Sequence, residues 1–237
     1  MRERMKFKDI RGLAKERAKE SLNTLILMEV IIIIISLGIQ RWGEGLVTLF
    51  PFLPFLLLID ILAYILVSLF WTGNTFSCVM VTIGMKAEVD HIFYGFKHNR
   101  KEILWLLLRK ILIIKVYIAL FSIIGNFLCE MFQLDNSYMY LIAYLLAYTV
   151  VELRYFPALY LLLDGEEQKC GLSVSRGIRM MKGNYLRLIL LSFSFLPWIL
   201  VGLLLCGLGI LIVAPWIQIS FVIFYMELKQ QEKKKYV

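Results

Sequence analysis

Histidine is nearly missing from this sequence, with two in 237 residues, and cysteine is sparse, with four. Cys78, Cys129, Cys170 and Cys206 show no paired spacing, which argues against a secreted disulfide scaffold. His91 and His98 lie seven residues apart, fewer ligands than the three or four convergent groups a metal site needs, so they read as solvated or headgroup-facing and no cofactor is expected. Catalytic signatures are also lacking: there is no HExxH, GxSxG, GxxxxGK(S/T) or GxGxxG, and no Ser or Cys sits beside a His in a nucleophile arrangement. The expectation is a protein that is not an enzyme, with an intramembrane site assembled from separate spans as a remaining alternative. Charge is scarce too, since DEKR make up 19% of the chain where a soluble domain averages about a quarter.

What fills the chain instead is apolar. AVILMFWYC account for 60% of the residues and the mean hydropathy is +0.74, and runs long enough to cross a hydrocarbon core of about 30 Å recur throughout. Hydropathy places spans near 22–40, 50–70, 111–129, 138–162, 186–205 and 208–226. The run from Leu22 to Ile39 follows Arg2, Arg4, Lys6 and Lys8, yet it exceeds an ordinary signal-peptide core and lacks a small-residue cleavage pattern, so it reads as a retained span. Pro51 and Pro54 open the second run, where prolines cost least, and Thr72, Asn74, Thr75 and Ser77 alone interrupt its extension toward Ile83.

Net charge is +8, and it is distributed unevenly. Basic residues collect before Leu22, in segments 84–110 and 164–187, and in the tail from Lys229, while Arg41, Glu44, Glu130 and Asp135 mark the opposite side. The Lys and Arg bias assigns both termini to the cytoplasm and the protein to the cell membrane. The charge is thereby explained by orientation and anionic headgroups, and no nucleic-acid partner is expected because no groove with interleaved aromatics or recognised fold appears.

Residues 4–19 form a basic amphipathic helix, and 92–101 and 172–185 repeat its logic, each ending in an Asn before an apolar run. Arg11, Lys15, Lys19, Lys97, Arg100, Arg176, Arg179 and Lys182 are the candidate headgroup contacts. The marker residues Asn23, Asn99 and Asn184 are spaced by 76 and 85 residues, which suggests three related units and leaves open whether the basic flanks arose independently. The predicted architecture is an all-α integral membrane protein: six helices as three hairpins, each preceded by a basic amphipathic interfacial helix on the cytoplasmic side. One polytopic domain covers 1–237, with 1–21 interfacial, 22–228 the bundle and 229–237 a basic tail.

Ionisable residues inside spans are costly and mark either paired charges or wet cavities. Glu29, Asp60, Lys115, Glu152 and Arg154 form the candidate polar network, with Glu29 and Lys115 expected near the inner boundary and able to pair, and Asp60 and Arg154 allowed as a second pair. In the last hairpin Gly202, Cys206, Gly207 and Gly209 are candidates for close helix packing, with dimerisation through that face as the alternative. Cys129 and Cys206 fall at outer span ends, where burial as small apolar thiols is expected over a disulfide between them.

Several stretches carry a resemblance. Arg154-Tyr155, Leu163-Asp164, Ser173 with Ser175 before Met180-Met181-Lys182-Gly183-Asn184, Leu191-Ser192-Phe193, Trp198, Gly207-Leu208-Gly209, Ala214-Pro215-Trp216 and Phe224-Tyr225 resemble the bacterial integral membrane family known as domain of unknown function 975, as does Phe93-Tyr94-Gly95-Phe96 upstream. The similarity is strongest from about 152 to 228. Where that family shows Pro-Gly at the start of the fourth span, this chain has Ser137-Tyr138-Met139-Tyr140. The resemblance implies topology and brings no activity with it. The functional expectation is a membrane-organising or accessory protein whose partners are anionic lipid and a membrane protein or second copy. A small-solute or ion permease is the alternative.

Overall fold

A computed structural model describes residues 5–49, 52–132, 138–204 and 207–235. The described residues are helical apart from short connections. The elements are α1 (Phe7–Ala18), α2 (Leu22–Leu49), α3 (Leu53–Thr82), a 3-10 turn (Val89–Phe93), α4 (Tyr94–Lys97), α5 (Arg100–Phe132), α6 (Met139–Leu163), α7 (Cys170–Met181), α8 (Tyr185–Phe193), α9 (Leu196–Leu204) and α10 (Leu208–Lys235). Six segments are long and apolar enough to cross a membrane: α2, α3, α5, α6, the α8–α9 pair and α10. This is an all-α, multi-pass membrane protein. Cys206 lies outside the described residues, and with it both its packing role and its pairing with Cys129; so do Asp135, Ser137, Pro51, Arg2 and Arg4.

Helix ends depart from the hydropathy boundaries where charge sits inside the membrane-crossing part of a helix. α5 begins at Arg100, eleven residues before the apolar run at 111, so Arg109 and Lys110 belong to its body. α3 runs unbroken to Thr82, and its threonine hydroxyls bond back to its own carbonyls: Thr72 Oγ1 donates to Ser68 O and Thr82 Oγ1 to Cys78 O, both at 2.7 Å, and Thr75 Oγ1 to Trp71 O at 2.9 Å. Pro54 stands in its first turn, where the missing N–H has no helical partner to lose. The fifth crossing is interrupted. α8 stops at Phe193, and α9 restarts at Leu196 with Pro197 in its first turn, which withholds one backbone donor at the join.

Two apolar clusters organise the bundle. In one, Ile10, Leu25, Met28, Cys78, Leu191, Phe195, Phe224 and Tyr225 join α1, α2, α3, α8 and α10; in the other, Ile103, Leu106, Ile114, Ala147, Val151 and Ala158 join α5 and α6, with α7 laid against them. Many large apolar side chains, including Ile34, Leu58, Val116, Ile123 and Leu145, remain exposed, as lipid-facing residues do. Because lipid is as apolar as they are, close backbone approach and polar pairing hold such helices together. Gly202 and Gly209 supply one approach: a Cβ on Gly209 would stand 2.6 Å from the Gly202 Cα. Gly207, at φ +79°, makes the turn between them in a conformation that a side chain disfavours. Gly73 supplies another, since its missing Cβ admits the carbonyls of His91 and Ile92 against α3.

The three asparagine markers occupy different local settings. Asn23 lies in the first turn of α2, Asn99 takes a left-handed φ of 44° ahead of α5, and Asn184 sits buried before α8.

Candidate intramembrane site

The main polar feature inside the bundle is built on α5 and α6. Lys110 lies ten residues into α5 and Glu152 eleven before the end of α6, so at 1.5 Å per residue both stand about 15 Å from those ends. Their charged groups meet at 2.6 Å. Lys110 is buried, whereas Glu152 keeps 36% of its side chain accessible. It is accessible because it borders a cavity of about 670 Å³. α3 contributes Tyr64, Ser68, Trp71 and Thr72 to the wall, α6 contributes Tyr148 and Thr149, and Leu188 and Phe221 close the far side. Of the lining residues, Trp71 and Tyr148 are exposed, and both belong to membrane-crossing segments. A mostly apolar chamber with one ion pair and several hydroxyls suits a molecule that is itself part apolar and part polar.

Over residues 1–232 the chain matches the family described as Protein of unknown function (DUF975). The chain belongs to that family. No match was found among curated proteins or among solved structures. The family's description assigns no activity, so the chemistry is argued from these residues.

A second polar cluster is separate from the cavity. Glu29 of α2, 2% exposed, accepts a hydrogen bond from Gln218 Nε2 of α10 at 3.1 Å. Asn74 Nδ2 donates to Gln218 Oε1 at 3.1 Å, and Cys78 Sγ approaches the same oxygen at 3.3 Å. One turn along α3, Ser77 Oγ lies 3.1 Å from Nδ1 of His91.

The charges picked out along the chain are thus regrouped. Lys115 does not meet Glu29; it pairs with Asp60. The reason is the early start of α5: Lys115 stands about 22 Å along its helix from Arg100, against about 10 Å for Glu29 from Leu22. Arg154 is exposed and makes no ion pair among the described residues, so it is not Asp60's partner. Lys110, read from hydropathy as part of a loop, is the cation that neutralises Glu152. Asn74 and Gln218 were legible only as single amides in apolar runs.

The headgroup candidates divide. Lys15, Lys19, Arg100, Arg179 and Lys182 are exposed. Lys97 is exposed but pairs with Asp90 at 3.2 Å. Arg11 is turned inward: its Nη1 donates to Ser194 O at 2.8 Å, meeting the carbonyl at the α8–α9 break, while Trp216 Nε1 donates to Arg11 O at 2.8 Å. Ile10, Ala14 and Ala18 are buried on the same side, so α1 packs on α10 along its apolar stripe.

Arg176 is also engaged, with Glu232 at 2.8 Å, Glu167 at 3.1 Å and Glu166 at 3.3 Å. Lys229 bridges Asp164 at 2.8 Å and Glu166 at 2.9 Å, and Arg187 grips Glu227 with both nitrogens, at 2.7 and 2.9 Å. Hydrogen bonds from Lys229 first, and then Lys233, hold the Glu166 carboxyl down at about 2. This lattice ties α10 to the 164–187 segment. No group of three or more His, Cys, Asp or Glu that could hold a metal occurs among the described residues.

Proposed function

We propose that this chain is a non-enzymatic protein of the cell membrane that holds an amphipathic, lipid-like molecule in the cavity beside Lys110 and Glu152, in an accessory or membrane-organising role. The observation that carries the reading is a largely apolar cavity, lined by residues of α3 and α6 that include the exposed Trp71 and Tyr148, with a charged pair at its wall. A polar head bonds to Lys110, Glu152 and the surrounding hydroxyls, and the tail leaves between the two helices. The permease alternative invokes the mid-span charges; of these Glu152 lines the cavity, while Asp60 and Arg154 are not among its lining residues.

The finer topology belongs to the same proposal. Three hairpins, α2 with α3, α5 with α6, and α8–α9 with α10, each follow a basic segment on the cytoplasmic side, with both termini on that side. Lys15, Lys19, Arg179 and Lys182 rest on anionic headgroups. Gly202 is covered by Gly209 of its own chain, so a membrane-protein partner or second copy engages another face.

Native mass spectrometry of delipidated protein in micelles, titrated with dioctanoyl phosphatidylglycerol and dioctanoyl phosphatidylcholine, tests the reading. One saturable adduct per chain is expected, lost in Ser68→Phe, which fills the cavity. Adducts that never saturate, or that Ser68→Phe leaves unchanged, overturn it.

A further inference from the structure

Among the carboxylates that pack between helices, Glu29 has unusual company. Glu152 faces Lys110, Glu227 faces Arg187 and Asp164 faces Lys229. Glu29 makes no ion pair among the described residues, and its hydrogen-bond partner, Gln218, is a neutral amide bonded in turn to the neutral amide of Asn74. The elements packed around it are α3, α10 and the 3-10 turn. α3 offers Cys78 as the titratable neighbour, α10 offers Gln218, and the turn offers His91, which is bonded to Ser77. An uncompensated carboxylate in a low-dielectric interior is among the costliest groups a fold can contain.

An independent observation points the same way. Asn74 is 0% exposed and its Nδ2 is used, yet its Oδ1 has no partner. A buried acceptor left empty costs on the order of 1–3 kcal/mol. This one belongs to a side chain bonded to Gln218, which in turn bonds Glu29, so a lone acceptor and a lone negative charge stand on one hydrogen-bonded chain. A single positive charge answers both. A proton on Glu29 turns the carboxyl into a donor for Asn74 Oδ1; an alkali ion takes Glu29, Asn74 Oδ1 and Gln218 Oε1 as oxygen ligands, the donor type that hard cations select.

We propose that Glu29, Asn74 and Gln218 form a binding site for one monovalent cation, a proton or an alkali ion, where α2, α3 and α10 meet. The site is independent of the cavity and stands or falls without it.

Infrared spectroscopy and thermal unfolding of the purified full chain in micelles test this, in choline chloride and then in NaCl or KCl at equal ionic strength. A carboxylic-acid carbonyl band that Glu29→Gln removes, with melting independent of the salt, identifies the proton. An ionised carboxylate with a melting temperature raised by Na+ or K+, the rise lost in Glu29→Gln, identifies the alkali ion. If Glu29→Gln does not fold, Asn74→Ala gives the same comparison: it shifts the acid band by removing its acceptor, or abolishes the salt-dependent rise. An ionised Glu29 with no response to either ion overturns the proposal.

Discussion

Lys110 and Glu152 meet at 2.6 Å from matching depths on α5 and α6, and they do so at the wall of a cavity. The pair therefore serves two ends: it neutralises two charges in the membrane interior and gives an apolar chamber one polar anchor. Removing one partner strands the other. Lys110→Met or Glu152→Gln is expected to destabilise the protein by about 3 kcal/mol, and the double variant by less than the sum of the two. Thermal unfolding in micelles across the double-mutant cycle checks this; additive losses contradict it.

Asp60 and Lys115 form a second pair within membrane-crossing segments. Asp60 keeps more than half of its side chain accessible, but within a span water does not screen the pair as it would at a protein surface, and a charge left alone there is costly. Asp60→Asn, which strands Lys115, is expected to lower the melting temperature in micelles, and adding Lys115→Met is expected to restore part of the loss. Melting of Asp60→Asn within experimental scatter of the unaltered protein contradicts this.

Gly202 and Gly209 bring α9 and α10 closer than any side chain permits. Gly209→Val is expected to cost on the order of 1–3 kcal/mol through overpacking. Gly12→Ala, where nothing lies within 4 Å, is expected to be neutral or slightly stabilising. Melting of the two variants side by side decides the matter.

Glu166 gives the fold a pH signature. Its carboxyl is held at about 2, against an ordinary value near 4.5, so its ion pairs stabilise the folded state above pH about 4.5 and that stabilisation fades as pH falls through about 2. Melting temperatures measured down that range should fall more steeply for the unaltered protein than for Glu166→Gln. Parallel curves contradict the assignment.

Arg11 holds α1 to the α8–α9 break through Ser194 O. Arg11→Ala is expected to speed amide exchange in residues 7–18, while Lys15→Ala and Lys19→Ala, whose side chains are exposed, leave it unchanged. Equal exchange in all three variants would make α1 a helix held by the leaflet alone.

The six crossings were legible because each contains a long apolar run, while the side each loop faces rests on the clustering of basic residues alone. Pairings were not. Hydropathy ends the third span where charge begins, so Arg109-Lys110 looked like a cytoplasmic flank when α5 had begun at Arg100, and Lys115 was assigned the wrong depth. Asn74 and Gln218 carry no charge and barely lower the hydropathy of α3 and α10, although an amide in mid-span is itself a signal. Arg11 and Arg176 matched a headgroup pattern, since composition cannot separate a cation facing lipid from one facing a carbonyl or three glutamates.

An amphiphile in the cavity between α3 and α6 shields the residues that line it. Thr149→Cys, at a position that lines that cavity, on a background with the four native cysteines replaced, reports this through its modification by a membrane-soluble maleimide. Leu141→Cys, exposed on the same helix and outside the lining, is the control. Added dioctanoyl phosphatidylglycerol is expected to slow labelling at position 149 in a saturable manner and to leave position 141 unaffected. Equal rates at both positions, with and without the lipid, would contradict the account.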